Sequence, residues 1–456
     1  MDGESDIEEP EPPPVKPTLP PVVLVMVTHD PGDWFEETLH SVAQQDYREL
    51  SVLVIDTDSE VDPTPRIAEQ LPSAFVRRLD DNPGYGAAAN LASTMVDGAV
   101  FYLFCHDDIA LEPGAVRSMV EEAFRSNGGL VTPKILDWDD PDRILSVGMS
   151  ADKFGYPETF VDPGELDQEQ HDAVRDVFVA PGGCVLARAD LFAGLGGFDE
   201  GITLLGDALT LSWRAHIAGA RVIVAPEAVV LHREDLGERP PDTHRRELEQ
   251  RHRLRNVLSN YSWVHLLRVL PQQFLLDVGQ ILVALFTGKP GRAGEVVRAA
   301  GWNLRNLGPI RQNRRAVKEL RHVPDSEVRS LQARGSVQLS AFVSRRLGGG
   351  DERLTDLATR GRGVGEQLRD PAMRVALLTA LLVGVIGVIG SRQIITQGMA
   401  QFGEFAAFGD SPMDFLREFF SNSQASGVGA DGVPPTAFGL LGAVGAGVFA
   451  KMALLR

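Results

Sequence analysis

The feature that most constrains the fold is a regular alternation of short apolar runs and helical patterns in the N-terminal part of the chain. Four β-rich apolar runs occur at Val22–Val27, Ser51–Ile55, Phe75–Leu79 and Val100–Phe104. Helical patterns lie around Trp34–Gln45 and over Gly84–Val96. Continuous apolar runs are typical of strands buried on both faces, and strands that alternate with helices favour parallel pairing. The sequence therefore predicts an α/β domain on a mainly parallel, mixed sheet.

Polar residues follow these predicted strands at the points where the strands end. On this interpretation His29, Asp56, Asn82 and Asp107 all lie just beyond a strand. In open α/β sheets, ligands bind at the carboxyl ends of the strands. We therefore expect these four side chains to converge on one binding site.

The second half of the predicted domain is less regular. Asp137–Asp176 is polar and is expected to cover one side of the site as irregular structure. Phe178–Leu186 is predicted as a strand, Leu209–Ala218 as a helix, and Arg221–Val224 as a strand followed by a short run that ends at His232. The cysteines, Cys105 and Cys184, lack metal or redox spacing and are expected to be buried thiols in a reducing compartment.

The charge of the chain is distributed unevenly. Residues 1–232 contain 14 Lys and Arg against 42 Asp and Glu, whereas residues 233–374 contain 26 against 16. So acidic a domain would repel nucleic acid, which excludes DNA or RNA as an expected partner. A basic segment before an apolar helix is expected to face anionic membrane lipids.

These shifts in composition divide the chain into four parts. Residues 1–20 are acidic and proline-rich, and we expect a disordered leader without a signal peptide. Residues 21–240 form the predicted α/β domain, 241–370 a basic helical region near the membrane, and 371–456 a transmembrane region. Within the basic region, Arg245–Asn256 is predicted as a helix. Phe274–Phe286 is too short and polar to span a bilayer, which predicts a core or an interfacial helix.

Two apolar segments, at about residues 375–392 and 433–452, are predicted to span the membrane, and the stretches Val375–Ser391 and Gly432–Ala450 carry no charge. Arginines crowd the chain before the first span, whereas Gln393–Asp431 between the spans contains only Arg417. The positive-inside rule then predicts a multi-pass protein of the cell membrane, with a cytoplasmic N-terminal domain and an external loop. The sequence stops directly after the second span, from which we expect that further membrane domain was intended.

A site at this edge that binds a negatively charged ligand such as a diphosphate requires positive charge to neutralise it. In a domain this acidic, a divalent cation held by carboxylates is the natural solution. Asp107 and Asp108, directly after the apolar run FYLFC, are suitably placed for it. A strand that ends in a solvated Asp-Asp turn explains the same pattern equally well.

Several motifs then follow one another in a fixed order. VTHDPGDWFEETLHSVAQQ, VIDTDS, NPGYGAAAN, HDD, APGGCVLARADLFAGLGGFDE and GDALTLSWRAHIAGARVIVAPEAVVLH together resemble the inverting family 2 glycosyltransferases, closest to the rhamnosyl- and galactofuranosyl-transferase type. The resemblance covers about Pro21–Arg233. It implies a GT-A fold, a nucleotide-diphospho-sugar donor and a divalent cation, Mn²⁺ or Mg²⁺.

The resemblance also implies roles for individual residues. Those implied to contact the nucleotide sugar are Thr28, His29, Asp56 at the nucleobase, Asn82, Gly84, Asn90 and Asp107. Asp108 is implied to hold the metal with help from Asp107 or His106, and His232 to be a further metal or diphosphate ligand. An ordinary histidine at a strand end is the alternative for His232. GGFDE is implied to form the acceptor-side wall, for which a plain glycine turn is the alternative.

The sequence departs from the family pattern at the expected catalytic base. Anchored on LSWR, the position of the base is Ala208, and a later aspartate of the pattern is Thr210. A methyl group cannot take a proton, and general-base catalysis contributes about 10²–10⁴-fold. Asp207 is the acidic residue that remains, and it is the candidate catalytic base after a one-residue slip in this loop.

Two functions from different classes follow. The first is a membrane-anchored glycosyltransferase that acts on a cell-envelope glycan or a polyprenyl-linked acceptor. The second is a catalytically impaired GT-A domain that serves as a nucleotide-sugar-binding scaffold in a larger membrane assembly. A nucleotidyltransferase is less favoured, because VTHDPGD contains no Lys or Arg. FLREFFSNSQASGVGADGVPP is similar to an external loop of actinobacterial cell-wall arabinofuranosyltransferases, and an ordinary amphipathic loop explains it equally well.

Overall fold

The structure is a computed structural model that describes residues 19–234, 242–333, 335 and 337. All of them belong to one unit of the chain, which extends to Phe342. Most of the predicted leader and both predicted membrane spans, at 375–392 and 433–452, lie outside the described residues.

Twelve strands occur in the described part of the chain. They are β1 (Val22–Thr28), β2 (Leu50–Thr57), β3 (Phe75–Leu79), β4 (Phe101–Cys105), β5 (Ile109–Leu111), β6 (Gly128–Asp137), β7 (Ile144–Ser146), β8 (Met149–Ala151), β9 (Pro157–Thr159), β10 (Arg175–Asp176), β11 (Cys184–Arg188) and β12 (Arg221–His232). The predicted strands near Val22, Ser51, Phe75 and Val100 are thereby confirmed.

In the same part of the chain, seven helices occur among the strands and five more come after β12. They are α1 (Phe35–Ala43), α2 (Thr64–Gln70), α3 (Tyr85–Asn90), α4 (Ala92–Met95), α5 (Ala115–Arg125), α6 (Ala189–Gly194), α7 (Asp207–Ile217), α8 (Asp242–Asn260), α9 (Trp263–Phe286), α10 (Pro290–Arg305), α11 (Leu307–Leu320) and α12 (Asp325–Val328), with a 3₁₀ turn at Arg329–Leu331.

Ten of the strands form one mixed sheet. Its order is β10-β12-β6-β11-β4-β1-β2-β3, while β5 pairs with β12 and β7 with β6. Pairing is parallel from β4 through β1 and β2 to β3, as the alternation of strands and helices predicts. On the other side of β4 the sheet is not mainly parallel, because β11 lies antiparallel between β4 and β6. The α/β prediction is therefore confirmed as a mixed sheet with helices after it.

The apolar runs are continuous because both faces of the sheet are covered. In β1, Val22, Leu24 and Met26 belong to one core cluster, and Val23, Val25 and Val27 to another. Successive side chains of a strand point to opposite faces. A strand with both faces buried therefore requires apolar residues at every position.

Three predicted elements differ in their extent. The strand predicted over Phe178–Leu186 begins only at Cys184, after the turn Pro181-Gly182-Gly183, since proline and glycines disfavour a regular ladder. The helix predicted over Gly84–Val96 is two short helices, α3 and α4. The strand predicted at Arg221–Val224 and the run to His232 form a single strand, β12, with an irregularity between Ala225 and Val229.

The helices beyond β12 are joined to the α/β domain by a buried ion pair. Arg255 on α8 donates two hydrogen bonds to Asp199, from Nε at 2.9 Å and from Nη2 at 2.8 Å. Asn313 on α11 donates to the same carboxylate at 2.7 Å, and Arg214 on α7 lies 3.7 Å away. Burial alone would raise the pKa of Asp199, but the hydrogen bonds and charge of Arg255 hold it below its usual value.

Helix α9 is longer than its sequence pattern predicted. The apolar stretch Phe274–Phe286 is only its second half, because the helix begins at Trp263, with Ser262 as N-cap. Among the described residues, Trp263–Leu285 is the one segment long and apolar enough to cross a membrane by length and composition.

We expect Asp199→Ala to lower the free energy of unfolding by about 3–5 kcal/mol, since it leaves Arg255 and Arg214 buried without their anion. Urea unfolding followed by tryptophan fluorescence measures the change. Asp190→Ala is the matched control, because Asp190 pairs with Arg188 on the surface and exposed pairs contribute about 0–1 kcal/mol. Equal shifts in the two variants would show that the buried ion pair does not stabilise the fold.

Candidate active site

The predicted site residues at the ends of β1 and β4 meet. Thr28 is the last residue of β1, and its Oγ1 donates a 2.6 Å hydrogen bond to Oδ2 of Asp107. Thr38 on α1 donates to the carbonyl oxygen of Asp107 at 3.2 Å. Both Thr28 and Asp107 are buried, so these bonds fix the turn that follows β4. The parallel pairing of β1 with β4 brings the two strand ends together, as the sequence predicted.

The turn after β4 and the end of β12 together form a cluster of potential metal ligands. His106, Asp108 and His232 each offer one ligand atom, and these atoms lie within 4.8 Å of one another. Oδ1 of Asp108 is 3.3 Å from Nε2 of His232 and 3.8 Å from Nδ1 of His106. The antiparallel pairing of β5 with β12 brings His232 opposite Ile109, next to Asp108. Two imidazole nitrogens and a carboxylate oxygen are a donor set that could hold a divalent cation.

Gly183 leaves space for this cluster, and Gly182 lies beside it. A Cβ atom on Gly183 would lie 2.9 Å from the ring of His232, closer than side chains tolerate. A Cβ atom on Gly182 would lie 3.6 Å from Nε2 of His106 and 3.8 Å from the Cβ of Ala208. The PGG turn that ends the predicted strand early therefore lets the backbone approach the histidines and the start of α7.

Residues on the nucleotide side are held in a separate network around β2. His29 donates from Nδ1 to the carbonyl oxygen of Thr57 at 2.6 Å. Asp56 is fully buried, accepts from Ser59 at 2.5 Å, and has Nε of Arg78 3.2 Å from its Oδ2. Thr57 in turn donates to the carbonyl oxygen of Thr28 at 3.0 Å. This network adjoins the Thr28–Asp107 pair, and it adds Arg78, a cation that the sequence analysis did not single out.

Asn82, Gly84 and Asn90 shape the segment around α3. Asn82 accepts a hydrogen bond from the backbone of Gly84 at 3.0 Å. Gly84 has φ of +93°, and a Cβ there would lie 2.5 Å from the carbonyl oxygen of Thr203. Asn90 donates to the carbonyl oxygen of Phe198 at 3.1 Å and accepts from its N–H at 2.8 Å. Through these two hydrogen bonds Asn90 fixes the position of the loop that contains GGFDE.

Asp207 begins α7 and lines a pocket with Ala208, Tyr85, Gly182 and Ser212, among others. Burial raises the pKa of Asp207 above its usual value, although backbone N–H groups at the helix start lower it in part. Ala208 lines the same pocket, so the position where the family pattern has its base does face this space. The structure thus places Asp207 and Ala208 in one pocket.

The loop that precedes Asp207, Asp199–Gly206, is held on both sides. His252 on α8 donates from Nδ1 to the carbonyl oxygens of Leu204 and Leu205, at 2.6 and 3.0 Å. Leu205 has φ of +62°, an unfavourable backbone conformation for a non-glycine residue that costs about 1–2 kcal/mol. On the other side, the N–H of Tyr85 donates to the carbonyl oxygen of Thr203 at 3.1 Å. Helices α3 and α8 therefore hold this strained loop, and with it the start of α7.

Thr210 stands where the family pattern has a later aspartate, and its side chain has a structural role. Its hydroxyl donates to Asn256 on α8 and to the carbonyl oxygen of Gly206. Nδ2 of Asn256 also donates to that carbonyl oxygen, at 3.0 Å. This threonine therefore ties α7 to α8.

Tyr85 is a candidate functional residue that the sequence analysis missed. Its ring packs edge-on against His106 and Phe198, with centroids 5.1 and 5.8 Å away. Its hydroxyl oxygen is buried in the pocket of Asp207 and makes no hydrogen bond within the described part of the chain. Burial, followed by the charge of Asp207, raises its pKa well above its usual value, so Tyr85 stays a neutral donor. The signal in the sequence was a tyrosine between two glycines in NPGYG.

Comparison with known proteins gives this site a family context. Residues 23–193 match Glycosyl transferase family 2. The chain contains a family 2 glycosyltransferase domain. The glycosyltransferase domain is 27% identical over 231 residues to N-acetylglucosaminyl-diphospho-decaprenol L-rhamnosyltransferase of Mycobacterium tuberculosis, covering 46% of this chain and 75% of that protein. The O-antigen biosynthesis protein RfbC of Myxococcus xanthus is 25% identical over 226 residues, covering 48% of this chain but only 18% of that protein.

A solved structure with a similar fold is the crystal structure of GalNAc-T7 with UDP, GalNAc and Mn²⁺. It superposes with a TM-score of 0.44 and 15% identity, covering 54% of this chain and 48% of that chain.

We expect His232→Ala to lower the affinity for Mn²⁺ at least tenfold, because it removes one of the three candidate ligand atoms. Mutation of residues that only support metal ligands already lowers metal affinity about 10–100-fold. Titration of free Mn²⁺ followed by electron paramagnetic resonance measures the affinity without an activity assay. His40→Ala, at an exposed position on α1, should leave it unchanged. Equal Mn²⁺ affinity in both variants would exclude His232 as a ligand.

Proposed function

We propose that the protein is a membrane-anchored inverting glycosyltransferase that moves a sugar from a nucleotide-diphospho-sugar to a lipid-linked or cell-envelope glycan. The observation that carries this proposal is the proximity of the Asp207 pocket to the His106–Asp108–His232 cluster, since both adjoin Gly182 or Gly183. A transferase of this class needs a base and a site for a diphosphate side by side. The decaprenol-linked acceptor in the name of the rhamnosyltransferase relative supports a polyprenyl-linked acceptor here.

His106, Asp108 and His232 would hold the divalent cation. Bound there, the cation would neutralise negative charge on the diphosphate leaving group. Mg²⁺ prefers ligand sets of oxygen atoms, whereas two of these three ligands are imidazole nitrogens. We therefore propose Mn²⁺ rather than Mg²⁺. Asp107 remains hydrogen-bonded to Thr28, and in this proposal it positions the turn beside the nucleotide.

Asp207 is the proposed catalytic base. It removes the proton from the acceptor hydroxyl, the hydroxyl oxygen bonds to the anomeric carbon, and the bond from that carbon to the diphosphate oxygen breaks. The raised pKa of Asp207 makes its carboxylate a better proton acceptor than an exposed aspartate. Ala208 takes no part in the proton transfer, but its small side chain leaves room beside Gly182.

Tyr85 is proposed to donate its hydroxyl proton, which has no partner within the described residues, to an oxygen of the bound sugar or acceptor. A buried hydroxyl without a partner is costly, and a ligand oxygen in the pocket would satisfy it. On the opposite side of the site, His29 and Asp56 are proposed to contact the nucleotide, with Arg78 holding the Asp56 carboxylate. Asn82, Gly84 and Asn90 shape the donor pocket through the backbone contacts of α3.

The membrane placement is the remaining part of the proposal. Two apolar segments, at about residues 375–392 and 433–452, and the arginines before the first of them support a multi-pass protein with a cytoplasmic transferase domain.

A nucleotide-sugar-binding scaffold is the second candidate function, and Ala208 at the family's base position is the observation that favours it. Calorimetry with nucleotides and Mn²⁺, alongside transfer assays with a panel of donors, separates the two functions. Metal-dependent binding without any transfer by the natural protein, together with activity created by Ala208→Asp, would establish the scaffold.

We expect Asp207→Asn to lower kcat by about 10²–10⁴-fold, because the amide cannot accept the proton. Nucleotide affinity, measured by calorimetry, should stay the same. Asp190→Asn on α6 is the control and should keep full activity. A kcat within tenfold of the natural enzyme would rule out Asp207 as the base.

Since Asp207 acts as the carboxylate, activity should fall as the pH drops through its pKa. Its raised pKa places the acidic limb of the profile of kcat/KM against pH above the ordinary value for aspartate, about 3.9. A limb at or below that value would contradict this assignment.

For Tyr85→Phe we expect a loss of roughly twofold to tenfold in kcat/KM, as for a hydrogen bond of about 0.5–1.5 kcal/mol to an uncharged sugar oxygen. The urea midpoint should not fall, because the hydroxyl makes no hydrogen bond within the described residues. Tyr47→Phe should do the opposite, losing a 2.8 Å bond to the carbonyl oxygen of Pro20 and about 1 kcal/mol of stability but no activity. Unchanged kcat/KM in Tyr85→Phe would remove this tyrosine from the mechanism.

A further inference from the structure

Helix α9 carries two opposite stripes of side chains along its whole length. Its inner stripe, at intervals of three or four residues, includes Leu266, Val269, Gln273 and Ala284, which are all buried. Its outer stripe consists of Val264, Leu267, Phe274, Leu275, Leu282 and Leu285, which are all exposed. Residues three and four apart lie on one face of a helix, so the two stripes face in opposite directions.

The outer stripe is unusual for a protein surface. Leu267, Phe274 and Leu275 are 63, 66 and 69% exposed. Between Phe274 and Leu285 the one charged residue is Asp277, which lies on the inner side of the helix. At about 1.5 Å per residue, the outer stripe from Val264 to Leu285 is roughly 30 Å long. Large exposed apolar side chains on one helix face mark an interaction site.

The inner stripe fixes α9 to the body of the protein. Leu266 and Val269 belong to the core cluster that contains Trp213 of α7. Arg253 on α8 donates to Oε1 of Gln273 at 2.9 Å, and Gln280 donates to the hydroxyl of Tyr156 at 3.4 Å. A helix that crossed a bilayer would lose these contacts and carry Gln273 and Gln280 into hydrocarbon, where unsatisfied polar groups are costly.

The exposed charged residues of α9 and of the helix that follows it, α10, have one sign. Between Trp263 and Arg305 the acidic residues are Asp277 and Glu295. Asp277 accepts a hydrogen bond from Gln273 on the inner stripe, and Glu295 is buried beside Arg246. The exposed charged residues of this segment are all basic: Arg268, Lys289, Arg292, Arg298, which pairs with Glu247, and Arg305. Exposed basic residues beside an apolar helix face complement an anionic lipid surface.

We propose that the outer stripe of α9 lies flat in the headgroup layer of an anionic bilayer, as an in-plane docking surface of the transferase domain. The proposal deepens the membrane association in the proposed function and rests on it, but not on the transfer reaction. Trp263, 66% exposed at the start of the helix, is an aromatic anchor suited to the membrane interface. The helix attaches the domain from the side and does not span the membrane.

Depth measurements on the full chain test this proposal. Val264→Cys, Leu275→Cys and Leu285→Cys each carry a nitroxide label in vesicles of phosphatidylglycerol and phosphatidylcholine, while the natural Cys105 and Cys184 are buried. Collisions with oxygen and with a water-soluble nickel complex then report the depth of each label. All three labels should lie at one depth, about 5–10 Å into the headgroup and acyl boundary. Phe75→Cys, at a 74% exposed position on β3, is the control and should stay in water.

Two results would overturn the proposal. In a helix that spans the bilayer, depths would differ by about 1.5 Å per residue, which separates positions 264 and 285 by roughly 30 Å. Labels shielded from both oxygen and nickel would mean that protein covers the stripe. A photo-crosslinker at position 275 then identifies the cover: adducts with lipid support the proposal, and adducts with residues 338–456 or with a second copy refute it. These readouts need no turnover, so an inactive transferase would still give a clear result.

Discussion

The double pairing of β4 is the constraint on which the rest of the site depends. β4 pairs in parallel with β1 on one edge and antiparallel with β11 on the other, so Cys105 lies between Met26 and Cys184. Parallel neighbours end at the same edge of a sheet, whereas an antiparallel neighbour begins there. The end of β1, the turn after β4 and the PGG turn before β11 therefore meet at one place. Thr28, Asp107 and the potential metal ligands are close together because of this arrangement.

Much of this arrangement could be predicted from the sequence. Uninterrupted apolar runs revealed the strands buried on both faces, and the polar residues after them marked the binding edge. The order of motifs pointed to His232, which is more than a hundred residues from Asp108 in the chain yet lies 3.3 Å from it. Local pattern could not reveal the antiparallel insertion of β11, because strand direction depends on where the chain returns after the long excursion through β7–β10. Nor could it reveal that Arg78 pairs with Asp56 or that Asn90 bonds to Phe198, because these partners come from other segments.

Tyr85 was missed, and α9 was left open between a core and an interfacial helix, for different physical reasons. A tyrosine within a glycine-rich turn has no local pattern that announces a buried hydroxyl, since burial there comes from Phe198 and His106. In α9, apolar residues occupy both stripes, so hydropathy alone could not distinguish the packed side from the exposed one. The polar residues Gln273, Asp277 and Gln280 lowered the mean hydropathy of the segment, but they lie on the packed side and leave the outer stripe apolar.

Helix α8 contacts both the loop at the start of α7 and helix α9. On one side its His252, Arg255 and Asn256 hold the Asp199–Gly206 loop and the start of α7, and on the other Arg253 holds α9. With α9 in the headgroup layer, the carboxylate of Asp207 would stay at a constant height above the lipid. An acceptor anchored in the same lipid could then react only if its hydroxyl reaches that height. The number of bonds between the anchor and the reacting hydroxyl thus becomes a property that the enzyme selects, alongside the identity of the sugar.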